Sequence, residues 1–179
     1  MMSLELWTTV AAVGTFIVVA ASSIAALIQL RHLRDGNQLQ GVLRVLDLLQ
    51  DPANRELLNF VRRDLAVQMQ DDSFVKSLHD NPIDRIKHRE LYVCQLYEHI
   101  GSYVRSGLIA ERAFMQVDWY DVLLYWGLLE PTIRLSREAP YPRPYVFENF
   151  EWLAAKAQQW ADQHPTGNYP KDLRRMTRG

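Results

Sequence analysis

The residues with the clearest potential for metal binding lie on one predicted helix. They are His88, Glu90, Cys94, Glu98 and His99. Side chains on a helix share a face when they are three or four residues apart, a spacing that Cys94 and Glu98 satisfy. His88 and His99 also share a face, but they lie about 16 Å apart along the helix axis. They cannot bind one ion together, so we predict no metal site, a thiol in the core and histidines at the surface.

A second group with chemical potential consists of glutamates that stand next to apolar residues. They are Glu98, Glu130, Glu148 and Glu151. Two converging carboxylates can perform acid–base catalysis when burial raises the pKa of one of them. Alternatively, the glutamates pair with arginines or cap helix ends, because a buried carboxylate needs a partner to offset its desolvation. We predict the second arrangement, a buried polar network. Its members are Glu98, Arg134, Glu148 and Glu151.

The chain has no sequence motif for catalysis or for cofactor binding. The metal motifs HExxH and CxxC, the nucleophile motif GxSxG and the phosphate-binding glycine motifs do not occur in it. A formal net charge of -1 argues against general affinity for nucleic acid, which requires a basic surface. The single cysteine forms no intrachain disulfide, so no oxidising compartment is implied. We therefore predict a protein that is not an enzyme, has no cofactor and does not bind nucleic acid.

The elements that would position these residues are all helical. Apolar residues recur every three or four positions, and no segment alternates strictly between apolar and polar residues. We predict an all-α fold with one N-terminal transmembrane helix and a cytoplasmic bundle of about five helices. The predicted domains are an anchor over residues 1–34, a helical domain over 35–164 and a flexible tail over 165–179. The basic residues of this tail are Lys171, Arg174, Arg175 and Arg178.

Capping residues predict where several helices begin and end. Asp51 and Asn81 each precede a proline, a pair typical of a helix start. The helix after Asn81 should run from about residue 83 to Ser106, because Gly107 tolerates the positive φ of a helix stop. Gly36–Asn37 predicts a joint after the apolar run; alternatively, the apolar helix continues past it as one long helix. The other predicted features are a short helix over 112–116, a helix capped by Asp118 and kinked by Pro131, and a last helix over 145–163.

The longest uncharged run lies near the N-terminus, from Leu6 to Leu30. An apolar run of about 18 residues or more predicts a transmembrane helix, and these 25 residues would span roughly 37 Å. The run is too long for a cleaved signal peptide and has no basic residue before it. Arg31 and Arg34 follow it, so the positive-inside rule places the N-terminus outside and the domain in the cytoplasm. Trp7, Arg31 and Arg34 would lie at the membrane interfaces.

Small residues form one face of this predicted membrane helix. They are Ala11, Thr15, Ser22 and Ala26. Small faces allow helices to approach closely in lipid, so this face predicts self-association or docking on a partner helix. The alternative is that small residues are merely tolerated in a single span.

Several segments resemble a family of small bacterial proteins of unknown function. Residues 104–109 (VRSGLI), 125–131 (YWGLLEP) and 147–154 (FENFEWLA) carry the resemblance, together with the apolar run and the Arg-His-Leu-Arg sequence after it. The similarity extends over about residues 5–160. It implies one N-terminal membrane helix, a helical cytoplasmic domain and a bacterial inner-membrane location, and it implies no known activity.

These observations lead to one preferred function and two alternatives. We predict a non-enzymatic, membrane-anchored interaction module whose partners are membrane lipid and either a second protein or another copy of itself. The first alternative is a membrane effector of the toxin or defence type that oligomerises through its small face and perturbs the bilayer. The second is a hydrolase or metalloenzyme that uses Glu98 with Glu148 or Glu151.

Overall fold

The fold is all-α, as predicted, throughout the residues that the computed structural model describes: 4–80, 82–138, 142–170, 172–174 and 176. Seven helices and no strand occur in these ranges. They are α1 (Leu4–Gln50), α2 (Pro52–Arg63), α3 (Leu65–Gln68), α4 (Asp72–Ser77), α5 (Glu90–Arg105), α6 (Glu111–Glu138) and α7 (Glu148–Gln163). Of the predicted tail, Lys171, Arg175 and Arg178 lie outside the described residues.

The chain divides into two compact units, Met1–Gln40 and Gly41–Gly179. The first unit consists of the apolar part of α1, and the second contains the end of α1 and all later helices. The joint predicted at Gly36–Asn37 is wrong, because α1 continues through both residues to Gln50. A single helical glycine costs only about 1 kcal/mol relative to alanine, which does not end a helix by itself.

Two predicted helix ends are confirmed in detail. Asp51 caps α2, since its carboxylate accepts a hydrogen bond from the Ala53 backbone N–H at 2.9 Å and Pro52 is the first helical residue. At the end of α5, Gly107 has a φ of 74°. The Leu108 N–H then donates to the Tyr103 carbonyl at 3.0 Å, which completes a Schellman motif.

The predicted helix start near residue 83 is wrong, because α5 begins at Glu90. Asp84 explains the difference: its carboxylate accepts the backbone N–H groups of Ile86 at 2.8 Å and Lys87 at 3.3 Å. Such local side-chain bonds favour turns over helix. Asn81, the predicted cap, lies outside the described residues. The polar segment before it contains the short helix α4, which Asp71 caps through the Ser73 N–H.

The two helices predicted on either side of Asp118 form one continuous helix, α6. Asp118 therefore does not cap a helix start and lies seven residues inside α6, where it is buried. The helix also continues through Pro131 for seven residues to Glu138. The last helix begins at Glu148 instead of residue 145, after Phe147 in the left-handed conformation.

Helices α5, α6 and α7 form the centre of the second unit. Tyr97 of α5 stacks on Phe150 of α7 with ring centroids 4.9 Å apart, and Trp126 of α6 meets Phe150 edge to face. Gly101 allows α5 to approach the start of α7, because a Cβ at this position would lie 2.7 Å from the carbonyl carbon of Asn149. This packing brings together side chains that are about fifty residues apart in sequence.

Candidate functional site

The apolar part of α1 exposes its side chains on all sides within its own unit. Within the described residues, α1 is the helix that is long and apolar enough to cross a membrane, and its apolar window has a mean hydropathy of 2.3. None of that window is buried, and Phe16, for example, is 73% exposed. Trp7, Arg31 and Arg34 are exposed as well.

The small residues predicted to form an association face are also exposed. They are Ala11, Thr15, Ser22 and Ala26. The Thr15 hydroxyl donates to the Ala11 carbonyl at 2.9 Å, and the Ser23 hydroxyl donates to the Val19 carbonyl at 2.8 Å. These bonds to the carbonyl four residues earlier satisfy the hydroxyl protons within the helix. The helix surface is therefore less polar than its composition indicates.

The glutamates predicted to form a buried network are instead partly or fully exposed. Glu148 and Glu151 are exposed, as is Arg134, and Glu98 is half-buried. Glu148 pairs with Arg105 at 3.4 Å, and Glu151 pairs with Arg137 at 2.7 Å. The network prediction was wrong in its burial, because Arg134 of α6 and Glu148 and Glu151 of α7 are exposed, and Glu98 of α5 is only half-buried. The pairing with arginine that the sequence predicted is present at both Glu148 and Glu151.

Glu98 caps helix α7 from the neighbouring helix α5. Its two carboxylate oxygens accept the Asn149 side-chain amide at 2.7 Å and the Phe150 backbone N–H at 2.9 Å. Phe147 stands at the position before α7 and provides no capping side chain. The negative charge of Glu98 also stabilises the positive end of the helix dipole. This carboxylate joins two helices and is occupied by hydrogen bonds.

A buried polar cluster that the sequence did not reveal joins α4 to the start of α5. The His88 Nδ1 atom lies 2.8 Å from Glu90 Oε1, and its Nε2 atom lies 2.9 Å from the Ser77 hydroxyl. His88 and Glu90 are fully buried, and the His88 ring packs against Phe74 with centroids 4.4 Å apart. The prediction of surface histidines is therefore wrong for His88, whereas Cys94 is buried as predicted.

Serine, histidine and glutamate are connected in the same order as in a hydrolase triad. The hydrogen bond between the serine and the histidine, however, runs in the opposite direction. The Ser77 hydroxyl donates its proton to the Phe74 carbonyl at 2.8 Å. The His88 Nε2 must therefore donate to Ser77, and it has no lone pair to accept the serine proton as a general base does. Ser77 is also the last residue of α4, where the negative end of the helix dipole opposes a developing oxyanion. The cluster fastens α4 to α5.

Burial controls the acid–base behaviour of this cluster. Desolvation raises the pKa of Glu90, and the hydrogen bond from His88 opposes that rise. Its second oxygen, Oε2, has no hydrogen-bond partner. Desolvation also raises the pKa of Cys94 well above its usual value, which makes this thiol unreactive at neutral pH.

A second buried carboxylate, Asp118 of α6, lines a cavity of about 180 Å³. Asp118 is 8% exposed, and its Oδ2 atom is buried without a hydrogen-bond partner. Burial and the neighbouring Asp121 carboxylate raise the pKa of Asp118 to about 7. The cavity lies among the end of α1 and helices α2, α5 and α6. Its lining residues are Leu46, Leu49, Gln50, Leu58, Tyr97, Asp118, Asp121 and Tyr125.

An arginine contacts two of the residues that line the Asp118 cavity. Arg62 of α2 forms a 2.7 Å ion pair with Asp121, and its guanidinium lies over the Tyr125 ring, 5.0 Å from the centroid. Asp118 is left without a positive partner of its own. Burial raises the pKa of Tyr97 well above its usual value, so this phenol stays neutral in the cavity wall. Within the described ranges, no cluster of three or more histidine, cysteine, aspartate or glutamate side chains is arranged to hold a metal ion.

These features define a helical domain preceded by an exposed apolar helix. The chain belongs to the family DUF4760, described as a domain of unknown function, which it matches over residues 16–160. The match agrees with the resemblance to an uncharacterised family and includes both the second half of the apolar run and helices α2 to α6. No curated protein and no solved structure matches the chain. The bacterial membrane setting implied by the resemblance remains a prediction.

Proposed function

We propose that this protein is a non-enzymatic interaction module anchored in the bacterial inner membrane by α1. The observation that carries the proposal is the complete exposure of the apolar window of α1. Water-exposed apolar patches of this size are rare in soluble monomers. Exposing apolar surface to water costs about 25 cal/mol per Å², and burial of the helix in lipid removes this cost. A continuous helix also satisfies its own backbone hydrogen bonds, as a bilayer requires.

The family match supports an anchor that is retained. It begins at residue 16, inside the apolar run, and continues into the helical domain without a break. A leader sequence that is removed after targeting has no reason to be part of the same conserved family unit. We infer that the apolar helix and the domain act as one protein.

The charges that flank the apolar run favour one orientation. Residues 1–30 contain no lysine or arginine, whereas Arg31 and Arg34 follow the run directly. The positive-inside rule then places the N-terminus outside and the helical domain in the cytoplasm. Trp7 would lie at the outer interface, where indole rings concentrate.

Self-association through the small face of α1 is the interaction that we propose. Ala11, Thr15, Ser22 and Ala26 project little beyond the helix backbone, and the Thr15 hydroxyl is already satisfied within the helix. Close backbone approach in lipid gains van der Waals contact without leaving a polar proton unpaired. The partner of this surface is a second copy of the chain.

Membrane insertion and orientation are tested with single-cysteine reporters. Ser3→Cys and Gln163→Cys place thiols on opposite sides of the proposed membrane, and the native Cys94 is buried and does not react. A membrane-impermeant maleimide should label Ser3→Cys on intact spheroplasts and label Gln163→Cys only after permeabilisation. Recovery of the protein in the soluble fraction after alkaline extraction would refute the anchor, and the reverse labelling would refute the orientation.

Association is tested with two matched double variants. Ala11→Leu with Ser22→Leu enlarges the proposed face, and Ala20→Leu with Ser23→Leu makes the same two residue changes outside that face. Energy transfer between labelled copies in bilayers should fall at least fivefold for the first pair and stay within twofold of wild type for the second. Equal energy transfer for both pairs would show that the small face does not mediate association.

A further inference from the structure

The cavity beside Asp118 has the composition of a ligand site that is short of one positive charge. Two carboxylates and two phenols line it, and Arg62 balances only Asp121. The Oδ2 atom of Asp118 is buried and accepts no hydrogen bond. A buried carboxylate without a donor costs several kcal/mol, so a site of this kind is retained most readily when something fills it. We propose that this cavity binds a small primary alkylammonium ion through Asp118.

The polar atoms of the cavity select a hydrogen-bond donor with positive charge. A carboxylate accepts only, and the described residues that line the cavity include no lysine or arginine. A primary ammonium has three donors, one of which satisfies the Oδ2 atom of Asp118. An anion would be repelled by both aspartates, and a neutral alcohol would leave the charge of Asp118 unbalanced.

The apolar part of the wall sets the size and type of the ligand body. Leu46, Leu49 and Leu58 form this part. A dry cavity of about 150 Å³ accommodates benzene, so about 180 Å³ holds a ligand of roughly six heavy atoms. Gln50, which also lines the cavity, is exposed to solvent. A short alkyl chain with a terminal ammonium fits these dimensions.

Ligand binding should depend on pH through Asp118. The charged groups that face it are Asp121 on its own helix and Arg62 from α2, and Tyr97 and Tyr125 are the other titratable neighbours. Because the pKa of Asp118 is about 7, the carboxylate is mostly protonated at pH 5.5 and mostly ionised at pH 8. An alkylammonium keeps its charge throughout this range. Affinity should therefore fall by about 30-fold from pH 8 to pH 5.5.

The test uses the full chain in detergent and n-butylammonium chloride as the probe. Saturation-transfer NMR of the ligand gives its dissociation constant at pH 8 and constant ionic strength. We expect n-butylammonium to bind at least tenfold more tightly than n-butanol, because n-butanol lacks the charge. It should also bind at least tenfold more tightly than tetramethylammonium, which lacks N–H donors. The dissociation constant should rise about 30-fold at pH 5.5.

Three variants connect the binding to this cavity. Asp118→Asn should weaken binding at least tenfold, and Leu46→Trp should weaken it similarly by filling the cavity while leaving the carboxylate in place. Asp47→Asn, which removes an exposed carboxylate on α1, should leave the dissociation constant unchanged. Binding that persists in both cavity variants, or that is equal for n-butylammonium and n-butanol, would overturn the proposal. Absence of binding at millimolar concentrations at pH 8 would also overturn it.

Discussion

Helices α5 and α6 cross the same core, but they differ in how completely their buried groups are engaged. At the start of α5, His88 makes a hydrogen bond with each of its two ring nitrogens, and Gly101 lies against the backbone of α7. On α6, Asp118 faces a cavity with one oxygen unpartnered, and Gly127 has no heavy atom within 4 Å of its hypothetical Cβ. Each helix has one buried carboxylate oxygen without a partner, Oε2 of Glu90 on α5 and Oδ2 of Asp118 on α6. The difference is that Glu90 has His88 on its other oxygen, whereas Asp118 lines a cavity.

This difference indicates which helix maintains the fold and which is available for function. Hydrogen-bonded polar clusters such as His88 with Ser77 and Glu90 favour one arrangement of the helices that they join. An unsatisfied carboxylate beside a cavity reduces stability and provides a place for a ligand. Substitutions in the His88 cluster should therefore cost stability, whereas removal of the Asp118 charge on α6 should be neutral or stabilising.

The largest effect is expected for His88→Ala. It removes both hydrogen bonds of the imidazole and leaves Glu90 buried without its partner, so the free energy of unfolding should fall by about 3–5 kcal/mol. Urea denaturation in detergent, followed by tryptophan fluorescence, measures the change. The double variant His88→Phe with Glu90→Leu replaces the pair by apolar groups and should recover most of the loss. If His88→Ala were as stable as wild type, the hydrogen bonds of this cluster would not stabilise the fold.

The second effect concerns Asp118→Asn and its dependence on pH. The folded protein has a pKa of about 7 at this site against an ordinary value of 3.8, so it binds a proton more tightly than the unfolded chain. Wild-type stability should therefore fall as pH rises from 4 to 7, at up to about 1.4 kcal/mol per pH unit. The asparagine of the variant does not titrate. The free energy of unfolding of Asp118→Asn, relative to wild type, should therefore increase over this pH range by as much as about 4 kcal/mol and then level off.

Unfolding measured at half-unit pH intervals provides the check on Asp118. Asp47→Asn, at an exposed carboxylate on α1, serves as the control and should follow the wild-type curve. If wild type and Asp118→Asn stayed parallel from pH 4 to pH 8, Asp118 would have an ordinary pKa in the folded protein, and the contrast between the two helices would weaken.

The third prediction is that Gly101→Ala separates α7 from α5. The added methyl group would collide with the Asn149 carbonyl, which is backbone and cannot rotate away. Overpacking of this kind costs about 1–3 kcal/mol. Hydrogen exchange should increase in α7, whose start Glu98 caps. Unchanged exchange in α7 would mean that the two helices have room to move apart.

The smallest effect is expected for the matched change on α6. Gly127 is exposed, and a Cβ there meets nothing within 4 Å. Gly127→Ala should stabilise the protein by about 0.5–1 kcal/mol, because alanine loses less conformational entropy in a helix than glycine does. The same denaturation measurement that detects the loss at Gly101 detects this gain. Opposite signs for the two alanine variants would confirm the comparison, and equal losses would refute it.

Local signals predicted a large part of the fold. The Asp51–Pro52 pair and Gly107 mark helix ends correctly, because capping depends on a few neighbouring residues. Periodic apolar residues predicted helices without strands. Two local predictions were wrong. Asp84 forms a turn, so α5 begins later than predicted, and Gly36 does not interrupt α1.

The candidate sites were less accessible to sequence analysis. The predicted glutamates lie at the helix edges, while the buried acids are Glu90 and Asp118. Helical spacing predicts that Cys94 and Glu98 share a face. It cannot predict the contact between His88 and Ser77, because a loop separates them in sequence. At Asp118 the sequence contains an acidic residue within an apolar segment. The same pattern is typical of a helix N-cap, so it did not indicate a buried carboxylate.

The sequence alone therefore determined the helical class and the uncharged apolar run at the N-terminal end, since both follow from residue type and short-range spacing. Only the tertiary structure decided which acids are buried, that Glu98 of α5 caps α7, and that Asp118 faces a cavity. Those outcomes depend on how helices pack across about fifty residues of chain, and desolvation acts on a carboxylate only after that packing has excluded water.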